Sequence, residues 1–423
     1  MASPSWTPEL RRWLDKTAAE AGFDAAGVAG VPDANDSASL EDSARFTAWV
    51  EAGRAGDMNY LKRRDETGAL VRSDLTIPMP WARSVVVCAL NYNADAPLSI
   101  DPAPHGTGWI ARYAWSGRTA DDGATGELAP TDYHNQLLAR LRRIEAGLLA
   151  QTKCTTRCYV DTGPVLERSL AARAGIGWIG KNTCVINQRL GSWILLGVIV
   201  TSLRLDIEPC SEAETAPSEA LPGTLLAPDR CGSCTRCIDA CPTGALLGAR
   251  EPEAPREMDA SRCIAYLTIE KKGAIDEDLR PQIGRQVFGC DICQDVCPWN
   301  RSDRSRNGGD GGLHIGVQAD MQSRPELINP GLDWLSSLDA QEFKRYFKGS
   351  PLERTGRKRL QRNVAIAMGN SGEHRFLPQL EAWAADSTDE VLRDSAAWAR
   401  TQIFSLAQSP ARLVASSKES NPS

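Results

Sequence analysis

The chain has 423 residues, 42% of them hydrophobic and 24% charged, with a formal net charge of −6; that is core material for about two to three domains, and an overall acidity that argues against nucleic-acid binding spread over the whole surface. The longest apolar stretch, 193–200, falls far short of the roughly twenty residues of a membrane helix, and the N-terminal Met-Ala-Ser-Pro-Ser-Trp has no basic run ahead of an apolar core, so neither a membrane span nor secretion is expected. Thirteen cysteines without such a signal point to the reducing cytoplasm, where thiolates bind metal.

Residues 9–22 and 40–52 carry helical periodicity, and 84–91 (SVVVCALN) is a β-rich run. Over 132–150, Leu137, Leu138, Leu141, Ile144 and Leu148 share one helical face, while 158–161 and 192–203 read as strands. Strands alternating with helices predict an α/β domain over 1–208, interrupted by Gly/Pro/Asp-rich loops at 93–108 and 116–131. A polar connector at 209–229 leads into a cysteine-rich domain at 230–300, and a second linker at 301–324 contains RSDRSRNGGDGG. Over 325–414 the helical period returns without strand signals, and helices at 355–370, 375–385 and 388–404 resemble HEAT-type repeats. The tail 415–423 is expected to be disordered.

Two cysteine runs carry the chemistry. Cys231-Gly-Ser-Cys234-Thr-Arg-Cys237-Ile-Asp-Ala-Cys241-Pro is the complete bacterial ferredoxin pattern, in which three thiolates serve one cubane and the fourth reaches a second. The run Cys290-Asp-Ile-Cys293-Gln-Asp-Val-Cys297-Pro lacks its opening cysteine, and Cys263 is the replacement that restores eight ligands. The crossover rule assigns Cys231, Cys234, Cys237 and Cys297 to one [4Fe–4S] cluster and Cys241, Cys263, Cys290 and Cys293 to the other. Zinc, the competing reading, has no use for the interleaved ending. Cys88, Cys154, Cys158, Cys184 and Cys210 read as mostly buried small hydrophobes.

Charge is unevenly distributed. Residues 341–363 hold eight basic and two acidic side chains, a local +6 that leaves −12 elsewhere. Within this run Arg354, Arg357, Lys358, Arg359 and Arg362 fall at helix-compatible spacing, suited to tracking phosphates; the competing reading is a solvated helix face.

The chain is identified as resembling the epoxyqueuosine reductases, over nearly its whole length. The resemblance rests on Ala111-Arg-Tyr-Ala-Trp115 with Asp132-Tyr133-His134, Val160-Asp161-Thr-Gly-Pro164, Gly177-Trp178-Ile-Gly-Lys181-Asn182, Gly191-Ser-Trp193, the segments around Cys263 and Cys290, and Gln361-Arg-Asn-Val-Ala-Ile-Ala-Met-Gly-Asn370. It implies an α+β multidomain protein: a nitroreductase-like α/β cobalamin domain, a ferredoxin-like domain with two [4Fe–4S] clusters, and C-terminal α-helical HEAT-like repeats. It implies reduction of epoxyqueuosine to queuosine at the wobble position of tRNAs with GUN anticodons, in a protein expected to be a monomer served by an electron donor that the sequence does not name.

The same resemblance implies Asp161 as proton donor; read alone, an aspartate before Thr-Gly-Pro is a turn former. It implies Arg72, Ala111, Asp161, Val185, Gly191, Ser192 and Leu196 as cobalamin contacts, and Lys271 and Lys272 as residues that approach tRNA. Ala111 stands where some members carry a cysteine. The resemblance implies a corrinoid bound base-off through a different fold, with which the absence of a lower-ligand motif is consistent: Asp132-Tyr-His134-Asn-Gln-Leu137 has leucine where that motif has glycine. Sixteen residues separate Trp115 from Asp132, which are nearly adjacent in the family. The alternatives are a corrinoid reductive dehalogenase, or a non-enzymatic electron carrier or RNA-binding scaffold bearing the clusters.

Overall fold

The computed structural model describes residues 4–31, 37–119, 128–205, 228–248, 256–300 and 320–408. The tail 415–423, Cys210, and most of the predicted connectors 209–229 and 301–324 lie outside the described residues.

The first region runs α1 (Pro8–Glu20), β1 (Ala25–Gly30), α2 (Ser37–Glu51), β2 (Ser84–Asn91), β3 (Trp109–Ile110), β4 (Ser116–Thr119), β5 (Leu128–Pro130), α3 (Tyr133–Gln151), β6 (Thr156–Tyr159), α4 (Glu167–Arg173), β7 (Trp178–Ile179), β8 (Val185–Ile186) and β9 (Ile194–Thr201). Its main sheet has the order β1-β2-β9-β6, and every neighbouring pair is antiparallel. The predicted α/β alternation is there, but the parallel sheet that usually accompanies it is not. Periodicity reports which segments are buried, not which way neighbours run, and β2 is buried throughout because helices cover both faces of the sheet. Val86, Cys88 and Leu90 enter one core with Leu14, Leu137, Leu141 and Ile144. Val85, Val87 and Ala89 enter another with Leu170 and Ala171. Fully burying a Val or Leu side chain contributes about 1.5–3 kcal/mol, so both faces hold the sheet. Helix α4 packs close only because β1 offers Gly27, where a Cβ would stand 2.1 Å from the Ala174 carbonyl oxygen.

The second region comprises α5 (Arg236–Ala240), α6 (Ile264–Ile269), α7 (Arg280–Ile283), β10 (Gln286–Phe288) and α8 (Ile292–Asp295). Strand β10 pairs in parallel with β3. The predicted loop at 116–131 contributes the antiparallel pair β4–β5, which β11 (Gln322–Ser323), from the end of the predicted linker, extends. The third region is α9 (Leu332–Ser337), α10 (Ala340–Phe347), α11 (Gly356–Ser371), α12 (Leu377–Asp386) and α13 (Glu390–Gln408), the last three close to where the helical period put them. One core spans all three regions: Ile110, Ala114 and Trp115 pack with Val287, Phe288, Leu327, Leu360 and Val364. Among the described residues no helix is long and apolar enough to cross a membrane.

Candidate functional site

Asp161 follows β6 by two residues and takes φ +54°, the left-handed region that aspartate enters more readily than most side chains. Its side chain is 52% exposed. Tyr133 Oη donates a 2.6 Å hydrogen bond to Asp161 Oδ2, and His134 Nε2 lies 3.7 Å from the same oxygen. Tyr133 and His134 open α3, and Asp132 is its N-cap, accepting from the His134 amide. Arg354, in the 3-10 turn Pro351–Thr355, reaches across to donate to Asp132. Its Nη2 also lies 2.7 Å from His134 Nδ1, and its guanidinium stands 5.7 Å from the Tyr133 ring centre.

The electrostatics separate the two carboxyl groups. Burial pushes Asp132 up, but hydrogen bonds from His134 and Arg354 outweigh it and hold the group below its ordinary value. Asp132 is therefore a carboxylate at neutral pH and a poor proton source. Burial, and then the Asp161 charge, push the Tyr133 hydroxyl well up, so it stays protonated and remains a donor.

Arg72 closes the other side of the turn. It is mostly buried, donates to the Gly163 carbonyl, lies over the Tyr60 ring at 6.0 Å and comes within 4.0 Å of Glu167. Burial raises Glu167; Arg72 opposes this and the Asp161 charge adds to it, leaving the carboxyl at about 7. Arg72 thus holds the backbone beyond Asp161 and faces an acid that the sequence had not singled out.

The eight cysteines fall into two neighbourhoods. Burial, then Cys297, Cys231 and Cys234, push Cys237 up to about 12. Burial, then Cys263, raise Cys290, with Cys241 adding to the shift. Thiols crowded so that Cys237 and Cys290 resist ionisation suit a multiply charged metal group, whose positive charge reverses that cost. Among the described residues no three His, Cys, Asp or Glu side chains converge on a single ion; the grouping is by neighbourhood. Cys184 shares a hydrogen bond with Cys293, a contact that its reading as a small hydrophobe missed. Cys88 does behave as a hydrophobe, wholly buried in the core.

Of the residues expected to line a corrin, Ala111 and Ser192 touch the segment that carries the second cysteine set. Ala111 packs so tightly on Gly289 that a Cβ there would come within 2.5 Å of its own. Val185 adjoins Cys184. At Gly191, φ is +71° and a Cβ would stand 2.2 Å from Asn300 Oδ1; the next amide, of Ser192, donates to that oxygen at 2.7 Å. Ser192 Oγ donates to Gln294 at 2.9 Å and accepts from Asn300 at 2.8 Å. The Ser192 hydroxyl is thereby spent on protein, and Ala111, Val185 and Ser192, all buried, back the wall. Leu196 is half-buried and keeps a free face.

Along α11 the structure divides the basic run into buried or half-buried arginines and an exposed lysine. Arg362 is 1% exposed; its guanidinium donates to the carbonyls of Leu267, Lys271 and Gly273 at 2.6–2.8 Å, so it cannot track phosphates. Arg359 likewise donates to Ile269 and Thr355 carbonyls, and Arg357 Nε to that of Leu338 at 2.8 Å. The apolar face of α11 packs inward and takes these arginines with it. Lys358 is 81% exposed, 3.6 Å from Asp389, Lys272 is exposed, and Lys271 lies 3.4 Å from Asp57. Tyr133 and Glu167 were the functional candidates sequence reasoning passed over; only their nearness to the quoted motifs marked them.

Residues 72–162 match the family model described as "Epoxyqueuosine reductase QueG, DUF1730", and 230–300 match a "4Fe-4S double cluster binding domain". The epoxyqueuosine reductase of Xanthomonas campestris pv. campestris is 35% identical over 406 residues, covering 95% of this chain and 98% of the relative. A crystal structure of an epoxyqueuosine reductase with a tRNA-Tyr epoxyqueuosine-modified stem loop superposes with a TM-score of 0.70 at 29% identity, covering 93% of this chain and 90% of that one. A Bacillus subtilis epoxyqueuosine reductase, described as having its catalytic aspartate loop swung out of the active site, gives a TM-score of 0.70 at 28% identity over 93% and 90% of the two chains.

Proposed function

The chain belongs to the epoxyqueuosine reductase family, and on that premise we propose that it removes the epoxide oxygen of epoxyqueuosine in tRNA as water, with Asp161 as the proton donor. The observation that carries this reading is the Tyr133–Asp161 hydrogen bond on a left-handed, solvent-open turn. Tyr133 occupies Oδ2 as a donor, which leaves Oδ1 as the oxygen able to hold a transferable proton. Asp132, seven-eighths buried and paired to Arg354, keeps its negative charge and does not compete for the role. The tRNA substrate is supported by the similar structure holding an epoxyqueuosine stem loop.

Deoxygenation needs two electrons and two protons: Asp161 would give one proton and water at its exposed side chain the other, and a base-off cobalamin and two [4Fe–4S] clusters would supply the electrons when bound. Cys231, Cys234, Cys237 and Cys297 would hold one cluster, and Cys241, Cys263, Cys290 and Cys293 the other. Leu196 and the backbone at 191–192 would form the corrin wall, which Cys184 and Gln294 join to the second cysteine set. Lys272 and Lys358 would meet phosphates of the anticodon arm, whose unstacked loop base can enter a pocket without duplex melting. The test is single-turnover conversion of an epoxyqueuosine-bearing tRNA by reconstituted protein under a chemical reductant. Formation of queuosine supports the reading, and unchanged epoxyqueuosine with intact clusters and corrinoid overturns it.

A further inference from the structure

We propose that Arg354 is a positioning residue for the acid, acting through Asp132, His134 and Tyr133 across the junction between the helical region and the sheet region, and not a phosphate contact; this rests on the proton-donor role given to Asp161 above. Asp161 lies outside regular secondary structure, so its side chain is placed by what touches it. Tyr133 touches it, at 2.6 Å. Tyr133 is the first residue of α3, and its direction is set by the N-cap Asp132, whose carboxylate also accepts from the His134 amide at 3.0 Å. A buried N-cap carboxylate is costly without a partner, and the partner is Arg354, from a turn 222 residues away.

That turn is itself anchored. Pro351, Leu352 and Thr355 are buried, and Arg359 donates to the Arg354 carbonyl at 2.7 Å while its other terminal nitrogen holds the Ile269 carbonyl. A continuous path therefore runs from the helical region through Arg354, Asp132 and Tyr133 to the acid. The guanidinium is 46% exposed, which is why its sequence position reads equally well as a phosphate contact; its hydrogen bonds point the other way, into the sheet region.

Single-turnover conversion at saturating epoxyqueuosine-bearing anticodon stem loop, together with stem-loop affinity measured across a salt series, separates the two roles. Arg354→Gln is expected to slow conversion about tenfold, the scale of losing one aligning contact, while affinity and its salt dependence change by less than about twofold. Arg354→Lys should recover part of the rate. In a Tyr133→Phe background the same Arg354→Gln substitution should cost less than about twofold more, because residues acting in series are not additive. Asp132→Asn keeps an N-cap side chain but removes the charge that Arg354 pairs with, so it should reproduce the rate loss even if Arg354→Gln folds poorly. Weakened binding, a salt slope shallower by about one and full conversion at saturation would overturn the proposal, as would rate losses that multiply in full in the double variant. Wild-type protein that holds its cofactors yet converts no epoxyqueuosine would refute the function beneath it, and the inference with it.

Discussion

The Arg362 guanidinium meets the Gly273 carbonyl at 2.7 Å, and the carbonyls of Leu267 and Lys271 with the side-chain oxygen of Asn363 complete its shell. Helix α11 is thereby bolted to the segment that follows α6, and burial lowers Arg362 to about 10. Arg362→Ala leaves three carbonyls without this partner. A loss on the order of 3 kcal/mol is expected in urea unfolding; an unchanged midpoint would show the clasp to be dispensable.

Lys358 behaves differently because it is exposed. Lys358→Glu combined with Lys272→Glu should leave unfolding unaltered, weaken tRNA binding, and reduce the salt slope by about one per lost phosphate contact. Wild-type affinity and slope in this double variant would remove both lysines from the tRNA interface.

The contrast between Arg362 and Lys358 marks what the sequence made legible. Both sit in one basic run, and charge alone cannot tell a guanidinium that caps carbonyls from an ammonium in water; that depends on which face of α11 packs, and Leu360, Val364 and Ala367 turn it inward. The iron–sulfur domain at 230–300 was legible because ligand spacing is local chemistry. The antiparallel direction of the sheet was not, because a strand buried on both faces carries no mark of its neighbours' direction. Tyr133 stood inside a quoted motif, but its bond to Asp161 joins α3 to the end of β6, a pairing made only by the fold.

Cys263 stands outside both cysteine runs and adjoins Cys290 and Cys241 in space. Anaerobically reconstituted wild-type protein should hold about eight irons, and Cys263→Ser about four with one cluster spectrum retained. An iron count unaffected by the substitution would take Cys263 out of the ligand set.

Glu167 gives the fold a pH dependence. Its folded value of about 7 stands above the ordinary 4.5, chiefly through burial, so the folded state binds the proton more tightly than the unfolded one. This stabilisation is fully present below about pH 4.5 and is lost as pH rises through about 7, on the order of 3 kcal/mol in all. Glu167→Gln, which cannot titrate, should flatten the fall in stability between about pH 4.5 and 7. An identical pH profile in wild type and variant would show that the carboxyl is ionised throughout.

Asp161 is the most direct test. Asp161→Asn keeps the side chain's size and can still accept from Tyr133, but it has no acidic proton to give. Iron content, corrinoid binding and stem-loop affinity should stay at wild-type levels while single-turnover conversion of epoxyqueuosine-tRNA under a chemical reductant falls by about 10²–10⁴, the usual contribution of a general acid. Conversion near the wild-type rate would contradict the assignment and return Asp161 to the role of a turn former.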